Sequence, residues 1–536
     1  MFDVSLIIPF LLYAETHYSF KGIYSRLKKN EPEIVADAPH RIEPGKNIPI
    51  MLLFKDGHKH PVELIHVNIE LIAGNQIVHS ESHPLNFNIS GEKYQWLIFN
   101  MESDEALKGP VQADVSFEIE VNGRRRMYRN DNYRLSSHKP LDIYIATEPL
   151  PATEHWFFGD MHSHSAYTED QAEFGAPLAP SVELCRSMGL TFFAATDHSY
   201  DLDDMDSSYL KNDPELKKWH RFRADVASLN QKRTDFVVIP GEEVSGGNEK
   251  NRNVHLLVLN SSAFIPGKGD SAERWFRTRP DLSLKQIMNF MEKDALAIAA
   301  HPGIPPPFLE WLLIRRGRWE GSDYQHDRLT GMQIWNGLDD DGFAEGVRRW
   351  IDLLLSGRRI YIFAGNDAHG NFNRFRQIGF PFFTFREHSD QIFGKMRTGL
   401  RIENSLSLAS LMHAVRNGNA VISNGPFVDF NVRNTHGECT PIGELAGGDA
   451  VALDVRCRSS HEFGRLARLA VLIGDLRKRE ERLFRVIDEF DNPFSADMGI
   501  DIHGQSGTGY VRMELSTWVE GQQFRCLTNP IWFGKA

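Results

Sequence analysis

His162 and His164 follow the apolar run Trp156-Phe157-Phe158 and stand two residues apart. On an extended strand both imidazoles then project to one face, where they can grip one cation. The same grammar, a short β-rich run ending in a metal-ligating side chain, recurs downstream. Thr191-Phe192-Phe193-Ala194-Ala195 leads to His198, Phe236-Val237-Val238-Ile239 to Glu243, and Leu296-Ala297-Ile298-Ala299-Ala300 to His301. Ile360-Tyr361-Ile362-Phe363-Ala364 leads to Asp367, with His369 two residues on. Asp170 and His255 complete the candidate metal ligands: His162, His164, Asp170, His198, Glu243, His255, His301, Asp367 and His369. Imidazole and carboxylate without thiolate suit zinc, manganese or iron, and the set is too large for one tetrahedral ion, so two or three divalent metal ions are expected. Clustered cations lower the pKa of water from 15.7 towards ~7, which is the chemistry of hydrolysis. His162, His164, His198, Glu243 and Asp367 form the expected catalytic set. An anionic substrate calls for arginine at the mouth of such a site, and Arg374 and Arg376, just past His369, are the nearest candidates. Asp160 and Asp197 adjoin ligands and are expected either to orient them or to bond structurally.

The elements that must position these residues are legible as texture. From about residue 45 to 147 the chain alternates at period two. Val115, Phe117, Ile119 and Val121 face one way and Ser116, Glu118 and Glu120 the other, and Asn122-Gly123 then offers a type I′ turn. Between about 154 and 395 short apolar runs alternate with helix-like stretches at 180–188, 215–231, 282–292 and 343–355. The strands expected there are Trp156–Phe158, Thr191–Ala195, Phe236–Ile239, His255–Leu259, Leu296–Ala300, Met332–Trp335 and Ile360–Ala364. Such alternation predicts an α/β fold, a distorted seven-stranded (β/α) barrel with ligands at the carboxyl ends of its strands. After a helix near 406–416 the chain is again β in character. The expected domains are an N-terminal β-sandwich over 1–150, the barrel over 151–400 and a C-terminal β-sandwich over 401–536.

Composition narrows the partners. A net charge of −12 supplies no broad basic surface, which argues against nucleic acid or an anionic membrane and for a small-molecule substrate. The cluster Arg315-Arg316-Gly317-Arg318 is too short to reverse that balance. Self-association into a homo-oligomer remains open. The four cysteines, Cys185, Cys439, Cys457 and Cys526, form neither a disulfide framework nor a CxxC knuckle, so free thiols and a cytoplasmic setting are expected. The apolar stretch from Val4 to Tyr13 lacks a preceding basic region and falls short of the ~20 residues of a spanning helix, so it reads as a packed segment.

Gly159-Asp-Met-His-Ser-His164, Thr196-Asp-His198, Pro240-Gly-Glu-Glu-Val-Ser245, His255, Ala300-His-Pro302 and Asn366-Asp-Ala-His369, in that order, resemble the successive motifs of the PHP (polymerase and histidinol phosphatase) superfamily. The segment Ser423-Asn-Gly-Pro426 and the flanking β regions are similar to a larger branch that includes carbamate hydrolases. The resemblance covers about 154–395. It implies a trinuclear site held by the nine ligands above, with Glu243 chosen over Glu242 because it directly precedes Val-Ser, and Glu169 competing with Asp170. It also implies metal-dependent hydrolysis, with a phosphoester ahead of a carbamate, ester or amide. A catalytically silent, metal-stabilised binding scaffold is the alternative from another class. An amidohydrolase-type barrel fits less well, because Asp367 is followed by His369 and Glu243 takes the third-strand position.

Overall fold

The computed structural model describes residues 31–102, 107–133, 138–168, 175–206, 208–269, 278–373, 377–380, 383–386, 391–447, 450–502 and 507–534. The stretch from Val4 to Tyr13 lies outside them. The chain forms two compact units. The first comprises Met1–Thr147, His164–Gly189 and Ala368–Phe393, and the second Glu148–Ser163, Leu190–Asp367 and Gly394–Ala536.

In the first unit the period-two alternation folds as strands. Gly109–Val121 buries Val115, Phe117 and Ile119 and leaves Ser116, Glu118 and Glu120 partly exposed. Asn122 and Gly123 both take positive φ, 50° and 72°, as a type I′ turn requires, before Arg124–Arg129 returns. This strand belongs to a six-stranded sheet, and Glu33–Asp37, Ile48–Lys55 and Tyr94–Met101 make a separate three-stranded one. Buried Arg41 donates to Glu43 Oε1 at 2.9 Å and to the Met188 carbonyl at 2.8 Å, which fixes the end of the Leu178–Ser187 helix in this unit.

The second unit corrects the expected fold. Over the described residues of both units strand accounts for 46% and helix for only 16%, so the protein is predominantly β and not a seven-stranded (β/α) barrel between sandwiches. All the expected strands exist, but they lie along one continuous path of hydrogen-bonded strands. That path runs Tyr361–Gly365, Leu329–Asn336, Leu296–Ala300, Asn253–Leu259, Val237–Gly247, Phe192–Ala195 and Trp156–Ser163. It then continues without a break into Arg397–Arg401, Ala420–Ser423, Gln522–Thr528 and the C-terminal strands beyond. Among the seven expected strands two pairings are also antiparallel, Val237–Gly247 with Asn253–Leu259 and Asn253–Leu259 with Leu296–Ala300. For the first of these the physical reason is connection length. Residues 248–252 separate the first two of these strands, and a link that short closes a hairpin, whereas a parallel crossover needs a dozen residues or more.

The first and last of the seven strands meet without pairing. Asn366 and Asp367 donate their backbone N–H groups to the His162 carbonyl at 3.3 and 2.8 Å. Gly365 permits this approach, since a Cβ there would stand 2.6 Å from the His162 nitrogen. Outside the strands, the Asp341–Leu355 helix is capped by Asp340, whose carboxylate accepts from Phe343 N at 3.0 Å. Its Trp350 indole donates to the Ile360 carbonyl at 3.0 Å, which fastens the helix beside the strand that ends in Gly365. Among the described residues no helix is long and apolar enough to cross a membrane.

Candidate metal centre

The second unit gathers His162, His198, Glu243, His255, His301 and Asp367 around one carboxylate. Glu243 lies midway along Val237–Gly247, a strand buried throughout, and its side chain is 1% exposed. His198 Nδ1 stands 3.0 Å from Glu243 Oε2, while His255 Nδ1, His301 Nε2 and His162 Nε2 stand 2.5, 3.3 and 3.4 Å from Oε1. Asp367 adds a second carboxylate, 3.3 Å from His162 Nε2 and 3.9 Å from His301 Nε2. Glu243, His255 and His301 each offer a ligand atom within 4.8 Å of the others, and so do His162, Glu243 and Asp367. His198, His301 and Asp367 are the more exposed members, at 12, 15 and 16%, so they mark the side from which the centre is reached.

Adjacent residues on a strand point to opposite faces, and this separates the two glutamates. Glu242 turns away from the histidines to accept from the Trp219 indole at 2.9 Å and from Ile265 N at 3.2 Å. Burial pushes its carboxyl up to about 8, against those hydrogen bonds and the charge of Arg223. Glu243 is equally buried, yet the positive charge and hydrogen bonds of His255, His162 and His198 hold it well below the usual carboxylate range. Burial opposes the charging of His162, but Asp367 and Glu243 outweigh it and raise the imidazole to about 9. For His301 burial prevails and the imidazole is lowered.

Two supports escaped the sequence reading. Gln333, fully buried in Leu329–Asn336, places Oε1 3.0 Å from His162 Nδ1 and accepts from the His301 backbone N–H at 3.1 Å. Its amide nitrogen donates to Asn336 Oδ1 at 2.8 Å, and Asn336 in turn reaches Asp367 Oδ2 at 3.5 Å. The Arg316 guanidinium lies against His255 Nε2. A glutamine inside the apolar run Met332-Gln333-Ile334-Trp335 was the available signal, because a buried polar group is the informative exception.

Asp160 answers the question left open for it. One carboxylate oxygen accepts from His162 N and Asn366 N, both at 3.1 Å, and the other from Asn366 Nδ2 at 2.6 Å and Gly394 N at 3.0 Å. It therefore clamps the ends of the strands that carry His162 and Asp367. The Asp197 carbonyl accepts from Glu243 N at 3.0 Å. His301 and Asp367 have φ of 31° and 54°, in the left-handed region that side chains other than glycine seldom occupy.

His164 and His369 belong to the first unit, where their rings stack at 4.3 Å. There His164 N donates to the Ala368 carbonyl at 2.8 Å, and its Nδ1 lies 3.3 Å from Thr168 Oγ1. Glu169, Asp170, Arg374 and Arg376 lie outside the described residues.

No family model matches the chain, and no curated protein matches it. Among solved structures, similarity extends to a β-glucuronidase of Bacteroides uniformis, at 8% identity and a TM-score of 0.19 over 94% of this chain and 61% of that one. A β-glucuronidase of Parabacteroides merdae matches at 10% identity and 0.19 over 94% and 64%. A putative β-galactosidase from Bacteroides fragilis matches at 10% identity and 0.20 over 94% and 73%. The chain thus spans about three fifths of the length of the first of these (61%). At such TM-scores the likenesses bear on neither fold nor activity.

Proposed function

We propose that this protein is a metal-dependent hydrolase, built on Glu243 and acting on a phosphoester. The observation that carries the reading is a buried carboxylate encircled by four imidazoles, with Asp367 beside two of them. The donor chemistry fits a divalent cation: imidazole and carboxylate, no thiolate, and two formal negative charges. His162, Glu243 and Asp367 would hold one ion and Glu243, His255 and His301 another, with Glu243 shared. An ion bound there supplies Lewis acidity and lowers the pKa of water.

The chain's own residues do the rest. Gln333 accepts at His162 Nδ1, which turns Nε2 towards the two carboxylates and fixes the ring. Asp160 and Asn336 hold the Asp367 end of the centre in place. Arg316 sets a permanent positive charge against His255, which favours an anionic phosphoester over a neutral carbamate, ester or amide. The order of the ligands along the chain also underlies the resemblance to the PHP superfamily.

The test is metal content of protein purified without chelator, together with initial rates on 4-nitrophenyl phosphate, bis(4-nitrophenyl) phosphate and an aryl carbamate with manganese or zinc. Phosphoester turnover that chelator and Glu243→Gln both abolish is expected. Carbamate turnover without phosphoester turnover would overturn the substrate class. Less than one metal per chain would overturn the metal reading and favour a binding scaffold.

A further inference from the structure

Between His301, at the centre, and Arg316, on His255, runs a segment on which five apolar side chains are turned to solvent. Ile304, Phe308, Trp311, Leu312 and Leu313 are exposed by 37, 70, 41, 55 and 40%. Large apolar side chains scattered singly on a surface are ordinary, but here five fall within ten residues and the Phe308 and Trp311 rings stack with centroids 6.1 Å apart, the kind of clustering that marks a binding surface.

The patch is firmly held. Asn253, fully buried, donates through its side chain to the Ile314 carbonyl at 2.8 Å and through its backbone to the Arg315 carbonyl at 3.0 Å. Gly317 N donates back to the Asn253 carbonyl at 2.7 Å. Arg252 donates to the Trp311 carbonyl at 2.8 Å, and its guanidinium lies 4.4 Å from the centroid of the Trp311 ring. These anchors belong to the turn and strand that continue the Glu243 strand as a hairpin. One end of the segment is therefore a candidate ligand, His301, the other touches His255, and the turn and strand that anchor it belong to the pair carrying Glu243 and His255. A surface fixed in this way presents its apolar groups at little further entropic cost.

We propose that this segment is the subsite for a hydrocarbon group of the substrate, so that the phosphoester cleaved carries an aryl or alkyl substituent. The proposal rests on the hydrolase reading above, and continuity with the candidate centre at both ends is what assigns the occupant. Arg316 meets the charged end of such a substrate while Phe308, Trp311 and Leu312 meet the apolar end.

Phenylphosphonate and methylphosphonate separate this proposal from its parent, because neither can be hydrolysed. Their affinities for the manganese-loaded full chain are measured by titration calorimetry, for wild type and for the surface variant Phe308→Ser/Leu312→Ser. Phenylphosphonate is expected to bind at least tenfold more tightly to wild type, and the ratio is expected to collapse towards one in the variant. An unchanged ratio in the variant, or no preference in wild type, overturns the subsite. Co-sedimentation with phosphatidylcholine vesicles that the variant abolishes, without a phenyl preference, would assign the patch to a lipid surface and also overturn it. Self-association lost in the variant, again without a phenyl preference, would assign it to a second copy. A phenyl preference that collapses as expected, with no turnover of any phosphoester, supports the subsite while the hydrolase reading falls.

Discussion

Gln333 offers the sharpest test of how the centre is assembled, because one side-chain oxygen serves two ligand-bearing segments. Its Oε1 receives His162 Nδ1–H at 3.0 Å and the His301 backbone N–H at 3.1 Å, with no exposure to water that could replace it. Gln333→Leu keeps a similar volume and orphans both donors. Each buried, unsatisfied donor costs about 1–3 kcal/mol, so about 2–6 kcal/mol is lost in total, divided between folding and metal binding. Loss of the hydrogen bond that orients a ligating histidine typically weakens metal affinity 10–100-fold, which is about 1.4–2.8 kcal/mol of that total. Gln333→Glu retains an acceptor for both donors and gives up the amide-nitrogen bonds to Asn336 Oδ1 and the Trp335 carbonyl. The expected order of manganese affinity is wild type close to Gln333→Glu, with Gln333→Leu at least tenfold weaker. Competition with a calibrated fluorescent chelator reads the affinities, and urea unfolding of the metal-free proteins reads the share borne by folding. If Gln333→Leu folds and binds manganese as tightly as wild type, Gln333 does not position the ligands and the reasoning fails.

The neighbouring glutamates should behave oppositely: Glu243→Gln loses bound metal, while Glu242→Gln, which keeps an acceptor for Trp219, retains it, as elemental analysis of the purified variants would check. Cysteine reactivity should follow burial. Cys457 and Cys526 are pushed up to about 12 by burial, so neither holds appreciable thiolate at pH 8, and raising the pH to 9 should not recruit them. Exposed Cys439 should therefore react promptly with an aromatic disulfide in the native chain, with the remaining thiols following only in denaturant. Arg512→Met should destabilise the second unit by about 3–5 kcal/mol in urea, because it strips Glu481 of a bidentate partner (2.7 and 2.8 Å) in a buried setting, yet leave metal content unchanged. Equal stability of that variant would mean that Glu481 finds water or another donor.

What could be read in the chain, and what could not, follows from the range of the interactions involved. The apolar runs ending in ligands are local, and each became a strand with its ligand at or just beyond the end, as for His162, His198, His301 and Asp367. Glu243 and His255 depart from that grammar, since both sit within strands of an antiparallel hairpin. The barrel expectation failed at this point. It treated every run as the start of a parallel unit, because strands ending at Ile239 and starting at His255 leave room for a crossover, whereas the folded strands extend to Gly247 and from Asn253 and leave only 248–252 between them. A hairpin brings the histidine of one strand beside the glutamate of the next without any helix between them, and Ser245 pairs directly with His255. The continuation of the sheet from Trp156–Ser163 through Arg397–Arg401 into the C-terminal strands was less accessible, because it joins segments more than two hundred residues apart. Gln333 and Asp160 share that difficulty, since their value lies in partners such as His162 and Gly394 that only the folded chain brings near. A ligand set can therefore be legible from types and order while the bonds that aim it are not, and variants at those bonds, rather than at the ligands, discriminate most strongly between a built centre and a chance cluster of histidines.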